Sequence, residues 1–430
     1  MTIPRATNSF DNTEIVANVD EDIIDSLTGG RLVGSVTSFE NFAECPLRYY
    51  LRYGVDLKER EEFTFSPVNF GVVLHAVIRE VCDEIKKNGE SYYLISEEKR
   101  REMVKRSVAA ITDIYQNSIL KDSSRNSFMI KRMEDLADRT VWAMGEQLKC
   151  GDFVPFVFEH KFNMEVGDGD RKQLMSGTID RVDICENGTD VYVRIIDYKT
   201  GKKDFNIVKT YYGIDIQLMV YMEAAMKLVA KMRPGKNVIP AGVFYYNISD
   251  PIVSATTESA EEIEDKIKGE LRLKGMVNSD KDIAEKMDNT GGTSLNIPVS
   301  RKADGGFDSR RSKVMNTEQF NMLGRFVDVR AVDTADRIAG GDIRRSPYKD
   351  GQFSSCDRCP YGAVCGFSVD LPGCNYRKLK KFDDEVLWNN IKEGVDENGK
   401  KINEKLIGWR DENSRVNYKR WITIDNPRED

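Results

Sequence analysis

The chain has 430 residues, with 64 Lys plus Arg against 71 Asp plus Glu and a formal net charge of −7. Apolar residues make up 40% and charged residues 31%, enough hydrophobic material for a sizeable core, which excludes a disordered or low-complexity chain. The acidic balance excludes a chain-wide basic coat for nucleic acid but leaves room for a local basic groove.

The first 34 residues read as a linker or arm, polar and acidic, without the apolar core of a signal segment. No uncharged apolar run reaches the ~18 residues that would span a bilayer, so a soluble cytoplasmic protein without a membrane partner is expected. From Ser35, the stretch SVTSFENFAECPLRYYLRYGVDLKER predicts one capped helix with an aromatic and basic face, Ser38 being a candidate cap. A second helix, FGVVLHAVIREVCDEI, carries Leu74, Val77, Ile78, Val81 and Ile85 on one stripe, with His75 at its flank. Residues 96–149 are helical in composition.

The hydrophobic period then changes from 3.6 to 2. Residues 153–166, 174–185 and 191–201 predict three consecutive strands, 211–230 returns to helical spacing, and 239–248 predicts another strand. This order implies an α/β layout around a mixed sheet. Residues 255–290 are charged and predict a helical insertion or lid, followed by a Gly-rich basic loop and a helix over about 317–340. Residues 383–430 read as a charged C-terminal extension, with Trp409 and Trp421 as possible anchors.

The small counts exclude several chemistries. His75 and His160 are the only histidines, which leaves few ways to build a His-assisted nucleophile. There is no Gly-x-Ser-x-Gly elbow, and none of the Gly-Lys pairs is followed by Ser or Thr, so no P-loop is present.

Asp197 and Lys199 stand two apart on a predicted strand and therefore share a face. Asp180 lies in the preceding strand, and Gln217 and Tyr221 fall one helical turn apart on the following helix. Two carboxylates and a lysine converging at a sheet edge suit a divalent cation, which prefers carboxylate oxygens and keeps waters. Read alone, Asp-x-Lys at a strand end is more often a solvated ion pair than a metal site.

Cys356, Cys359 and Cys365 form C-x2-C-x5-C, with Cys374 near and Cys45 far upstream. In a chain without a secretory signal, this spacing favours metal ligation over disulfides. A fourth ligand is needed, and thiol spacing alone leaves structural zinc and an iron–sulfur cluster open. Arg48, Tyr49, Tyr50, Arg52 and Tyr53 mix cations with aromatics, as single-strand grooves do, and snorkelling arginines on a core helix read the same way. Lys202, Lys203 and Lys209 follow the Asp-x-Lys strand. Arg301, Lys302, Arg310 and Arg311 form a second basic cluster, read as solvated loop rather than groove.

The combination Ser176-Gly177-Thr178-Ile179-Asp180-Arg181, then Ile195-Ile196-Asp197-Tyr198-Lys199-Thr200-Gly201, then Gln217-x-x-x-Tyr221, with the four cysteines, resembles the RecB-type branch of the PD-(D/E)XK nucleases. Within it, the chain looks most like the C-terminal nuclease domain of the B subunit of AddAB-type helicase–nucleases. The resemblance implies a restriction-endonuclease-like core, a mixed sheet flanked by helices, with helical insertions and a cysteine-ligated cluster. It places the nuclease domain over 35–382, its catalytic core over about 70–250 and the cluster segment over 354–367. It implies Mg²⁺ or Mn²⁺ held by His75, Asp180, Asp197 and the backbone oxygen of Tyr198. Lys199 would be the catalytic lysine, with Gln217 and Tyr221 supporting the site. It also implies a [4Fe–4S] cluster on Cys45, Cys356, Cys359 and Cys365, whose loss would affect folding or DNA binding before chemistry.

The activity implied is exonucleolytic cleavage of DNA strands delivered by a helicase during double-strand break repair and recombination. DNA contacts would come from Arg48, Tyr49, Arg52, Lys202 and Lys203, and a partner resembling the family's A subunit is implied. The family's helicase-like region is not encoded here, which implies a C-terminal fragment or a shortened protein. Three rival readings stay open: a non-catalytic iron–sulfur-stapled DNA-binding module, a free-standing RecB-like nuclease of the CRISPR adaptation type, and a zinc-stapled scaffold.

Overall fold

The structure is a computed structural model that describes residues 33–58, 67–114, 124–166, 173–254, 257–371, 374–396 and 398–402. Most of the expected arm and the end of the tail, with Trp409 and Trp421, lie outside the described residues.

The described chain enters through strand β1 (Val33–Ser35) and helix α1 (Val36–Glu44). Ser35, rather than Ser38, caps α1, its side-chain oxygen accepting the Ser38 N–H at 3.1 Å. The single long helix expected here breaks at Cys45, which is extended at φ −166° and ψ 117°. The cause is Pro46, whose ring disfavours helical backbone in the residue before it. A short helix Pro46–Tyr49 and a wide turn Tyr50–Gly54 follow.

Helices α2 (Pro67–Lys87), α3 (Glu97–Ile114) and α4 (Ser124–Lys149) form one layer. The stripe expected on α2 is buried throughout, from Leu74 to Ile85. The expected strands appear as β2 (Val154–Val166), β3 (Gln173–Asn187), β4 (Asp190–Lys199) and, after α5 (Gln217–Met232), β5 (Asn237–Asn247). β3 is antiparallel to β2 and β4, and β5 is parallel to β4 after the α5 crossover. This is the mixed sheet, flanked by helices, that the sequence predicts.

The pleat sorts β4 and β5 residue by residue. Val191, Val193, Ile195, Val243 and Tyr245 face α1, α5 and α6 (Thr317–Ala339), whereas Tyr192, Ile196, Tyr198, Phe244 and Tyr246 face the α2–α4 layer. The expected C-terminal extension begins with a helix, Asp384–Glu393, whose Leu387 and Ile391 join the α1–α5–α6 side of the core.

The segment 255–290 differs from the helical lid expected. It holds helices Ala260–Glu270 and Lys281–Met287, but between them β6 (Lys274–Asn278) extends the main sheet, and β7 (Val314–Met315) pairs beyond it. β6 has little apolar alternation to announce it. Gly275 permits the contact instead: a Cβ there would stand 1.9 Å from the Val243 carbonyl oxygen of β5. In the following basic loop, Arg301 donates to the carbonyls of Ala284 and Asp288, both at 2.7 Å, capping the Lys281–Met287 helix. Lys302, Arg310 and Arg311 are exposed. Among the described residues no helix is long and apolar enough to cross a membrane.

Candidate active site and cysteine pocket

The site forms where β3 and β4 part. Their last register pair is Arg181–Ile196, and at the next position the ladder gives way to side chains. Asp180 accepts the Tyr198 backbone N–H at 2.6 Å with one carboxylate oxygen, and its other oxygen lies 3.5 Å from His75 Nδ1 on α2. Asp197 and Lys199 share a face, as their spacing predicts, with Lys199 Nζ 2.5 Å from Asp197 Oδ2.

Gln217, the first residue of α5, ties this group together. Its amide N–H groups donate to Asp197 Oδ1 and to the Tyr221 hydroxyl oxygen, each at 3.0 Å, and its carbonyl accepts from Lys199 Nζ at 3.1 Å. Both N–H donors and the carbonyl are thereby used, which fixes the amide in one orientation. Tyr221 packs edge-on against Phe162 at 5.6 Å. Gly177, opposite on β3, makes room for both rings: a Cβ there would lie 2.6 Å from Phe162 and 3.0 Å from Tyr221.

A third acidic residue joins the site that the sequence pattern does not single out. Glu159 on β2 lies opposite Asp180, between the register pairs Phe158–Arg181 and His160–Ile179. Its backbone is left-handed at φ 48°, and its carboxylate reaches within 3.7 Å of His75 Nδ1. A bulky residue held there costs about 1–3 kcal/mol, and such strain concentrates at functional sites. Its sequence signal is faint, one of two acidic residues in a strand that also carries His160 and Lys161.

His75, Glu159 and Asp180 offer ligand atoms within 4.8 Å of one another. Burial alone would lower the His75 pKa, but hydrogen bonds to Asp180 and Glu159 outweigh it and raise it to about 10. Burial and the neighbouring Asp180 push Asp197 up to about 7 against the pull of Lys199. Asp197 Oδ2 is buried, with the Lys199 ammonium 2.5 Å away. Crowded, buried carboxylates and an imidazole make a donor set that fits Mg²⁺ or Mn²⁺.

Cys45, Cys356, Cys359 and Cys365 line a single pocket with Leu47, Leu51, Pro347 and Phe367, and Cys374 is not part of it. The break at Pro46 is what turns Cys45 into this pocket. Burial raises the Cys45 and Cys365 thiols, and nearby thiols raise them further. An apolar pocket lined by four thiols is a donor set that fits an iron–sulfur cluster and a structural zinc alike. The wall is closed by long-range bonds: the Ser355 hydroxyl donates to Glu44 O at 3.3 Å, the Leu47 N–H to Arg344 O at 3.2 Å, and Arg377 to Ala43 O.

The expected DNA contacts divide. Arg52 and Lys202 are exposed, Arg52 stacking over Tyr53 at 5.4 Å. Tyr49, expected to stack on bases, is buried edge-on against Phe42 at 5.6 Å, and Arg48 pairs with Glu44 beside the cysteine pocket. Lys203 turns inward to Asp215 at 3.0 Å and over the Tyr245 ring at 4.5 Å. The reason in each case is packing: these side chains lie where helix or loop meets core.

The model of a family described as the PD-(D/E)XK nuclease superfamily matches residues 34–366. The chain is 33% identical over 379 residues to the B subunit of an ATP-dependent helicase/deoxyribonuclease of Thermoanaerobacter sp. (strain X514), covering 86% of this chain and 33% of that protein. The protein of the same name from Clostridium acetobutylicum is 34% identical over 397 residues, 90% of this chain and 34% of its own length. That from Clostridium botulinum (strain Hall) is 32% identical over 403 residues, 91% and 35%. The chain thus spans about a third of the length of the curated relatives it matches.

Proposed function

The chain belongs to the PD-(D/E)XK nuclease superfamily, and from that membership we propose that it is a metal-dependent deoxyribonuclease acting within a helicase–nuclease complex in double-strand break repair. One observation carries the reading: His75, Asp180, Asp197 and Lys199 meet where β3 and β4 part, with Gln217 bridging Asp197 and Lys199. A retired, merely DNA-binding domain would have no need of this complete set. The named relatives support the helicase–nuclease reading over a free-standing nuclease, and they support a helicase partner.

Hydrolysis forms a P–O bond to water and breaks the P–O bond to the leaving sugar oxygen, which takes up a proton. A bound Mg²⁺ or Mn²⁺ would supply Lewis-acid charge and a more acidic water. His75, Asp180 and Asp197 would hold it, with Glu159 beside them and the Tyr198 carbonyl as the further family ligand. Lys199 places an ammonium where negative charge grows on the phosphoryl oxygens. Gln217 holds that ammonium and the Asp197 carboxylate in one arrangement, a positioning that hydrolysis rewards strongly. The four thiols of Cys45, Cys356, Cys359 and Cys365 in one pocket, with the resemblance, support a [4Fe–4S] staple joining the start and end of the domain.

The test is cleavage of end-labelled single-stranded DNA by anaerobically purified protein with Mg²⁺, with EDTA and with Lys199→Ala. Mg²⁺-dependent degradation that the substitution removes is the expected result. Binding without cleavage by the unsubstituted chain would overturn the reading in favour of a DNA-binding module.

A further inference from the structure

The helix that ends at Cys45 also holds the backbone of Gln217, whose side-chain amide stands at the centre of the candidate site. Helix α5 begins at Gln217, and the residue at its N-cap, Ile216, has no side-chain acceptor for the open N–H groups. A helix start needs such acceptors. Here they come from α1, 176 positions away: Glu40 Oε1 accepts the Ile216 N–H at 2.9 Å and the Gln217 N–H at 3.0 Å. A carboxylate at this end is also favoured by the helix dipole. Glu40 is buried, and the preceding residue, Asp215, is held by the Tyr245 hydroxyl at 2.6 Å and by Lys203 at 3.0 Å.

Glu40 lies just over one turn before Cys45 on the same rigid element. The C-terminal end of that element is clamped to the cysteine segment through Ser355 and Arg377. Gln217, at the far end of the relay, orients both Asp197 and Lys199.

We propose that Glu40 is a positioning residue through which the seating of Cys45 in its pocket sets the Gln217 amide, and with it the Asp197–Lys199 geometry. The staple then acts on chemistry as directly as on folding, contrary to the expectation that its loss would affect folding or DNA binding before chemistry. The activity arm of this inference rests on the nuclease reading; its structural arm does not.

The test uses the 430-residue chain, purified anaerobically, with Glu40→Ala, Glu40→Gln and Cys45→Ser. Three quantities are read: visible absorbance of bound iron, amide hydrogen exchange in the peptide spanning 214–222, and kcat and KM on single-stranded DNA with Mg²⁺. Glu40→Ala is expected to keep the absorbance, raise exchange in 214–222, and lower kcat by about tenfold to a hundredfold with KM little changed. Glu40→Gln keeps a carbonyl acceptor and is expected to restore most of the protection and rate. Cys45→Ser is expected to lose the absorbance and raise exchange in the same peptide.

Unchanged exchange in Glu40→Ala would overturn the positioning role. Unchanged exchange in Cys45→Ser, or an unsubstituted chain without the absorbance, would overturn the link to the staple. An inactive but folded unsubstituted chain would count against the nuclease reading alone, since exchange still decides this one.

Discussion

The side-chain amide of Gln217 donates to Asp197 at 3.0 Å while its carbonyl accepts from Lys199 at 3.1 Å. One neutral group thus holds a carboxylate and an ammonium that also meet each other directly at 2.5 Å. The arrangement separates the roles of the two charged groups, and that separation can be measured.

Lys199→Ala removes an ammonium that is 27% exposed and meets Asp197, Gln217 and the face of Tyr245. Cleavage should fall by about 10²–10³-fold, the usual cost of losing one charge-stabilising group. Mn²⁺ affinity, read by calorimetry, should stay the same or rise, because a competing cation has left Asp197. A variant that loses Mn²⁺ binding would show that Lys199 shapes the site rather than the transition state.

Glu159→Ala tests the acidic residue that only the fold reveals. With one of the three groups of the His75 cluster removed, Mn²⁺ affinity should weaken by about 10–100-fold, as for other supporting metal-site groups. Cleavage at low Mn²⁺ should fall and largely recover at high Mn²⁺. A Mn²⁺ titration identical to that of the unsubstituted chain would remove Glu159 from the site.

Gly177→Ala adds a methyl group where Phe162 and Tyr221 already meet the backbone. Overpacking of this kind costs about 1–3 kcal/mol, so the denaturant midpoint should drop. Because Tyr221 is bonded to Gln217, cleavage should drop as well, even well below the melting temperature. A loss of stability with full activity would mean that Tyr221 is a packing residue only.

Asp183→Ala addresses stability away from the site. Asp183 is fully buried and binds Arg181 at 2.6 Å and Arg194 at 2.9 Å on the α2–α4 side of the sheet. Removing it leaves two buried guanidinium groups without their counter-ion, at a cost of about 3–5 kcal/mol. Chemical denaturation of the variant against the unsubstituted chain measures this directly, and a change below about 1 kcal/mol would show that water replaces the carboxylate.

Local rules explain what was legible in the sequence. Period-2 alternation located β2 to β5, and the two-residue spacing of Asp197 and Lys199 already meant a shared face, because a strand leaves its side chains no other choice. The stripe on α2 and the i, i+4 pair Gln217–Tyr221 follow from helix geometry in the same way. The extended backbone of Cys45 is local as well, since the Pro46 ring alone accounts for it.

Tertiary structure decided the rest, for reasons of distance along the chain. Glu40 caps a helix 176 positions away, a relationship no local pattern encodes. Glu159 gains its place from a left-handed backbone at φ 48° opposite Asp180, where residue type alone would favour an extended strand. Cys45 rather than Cys374 enters the thiol pocket because α1 and the cysteine segment dock side by side. Tyr49 and Lys203 looked like nucleic-acid contacts by composition, yet packing against Phe42 and Asp215 turned both inward. Sequence set which chemical groups were present and which faces they shared; long-range packing set which of them met.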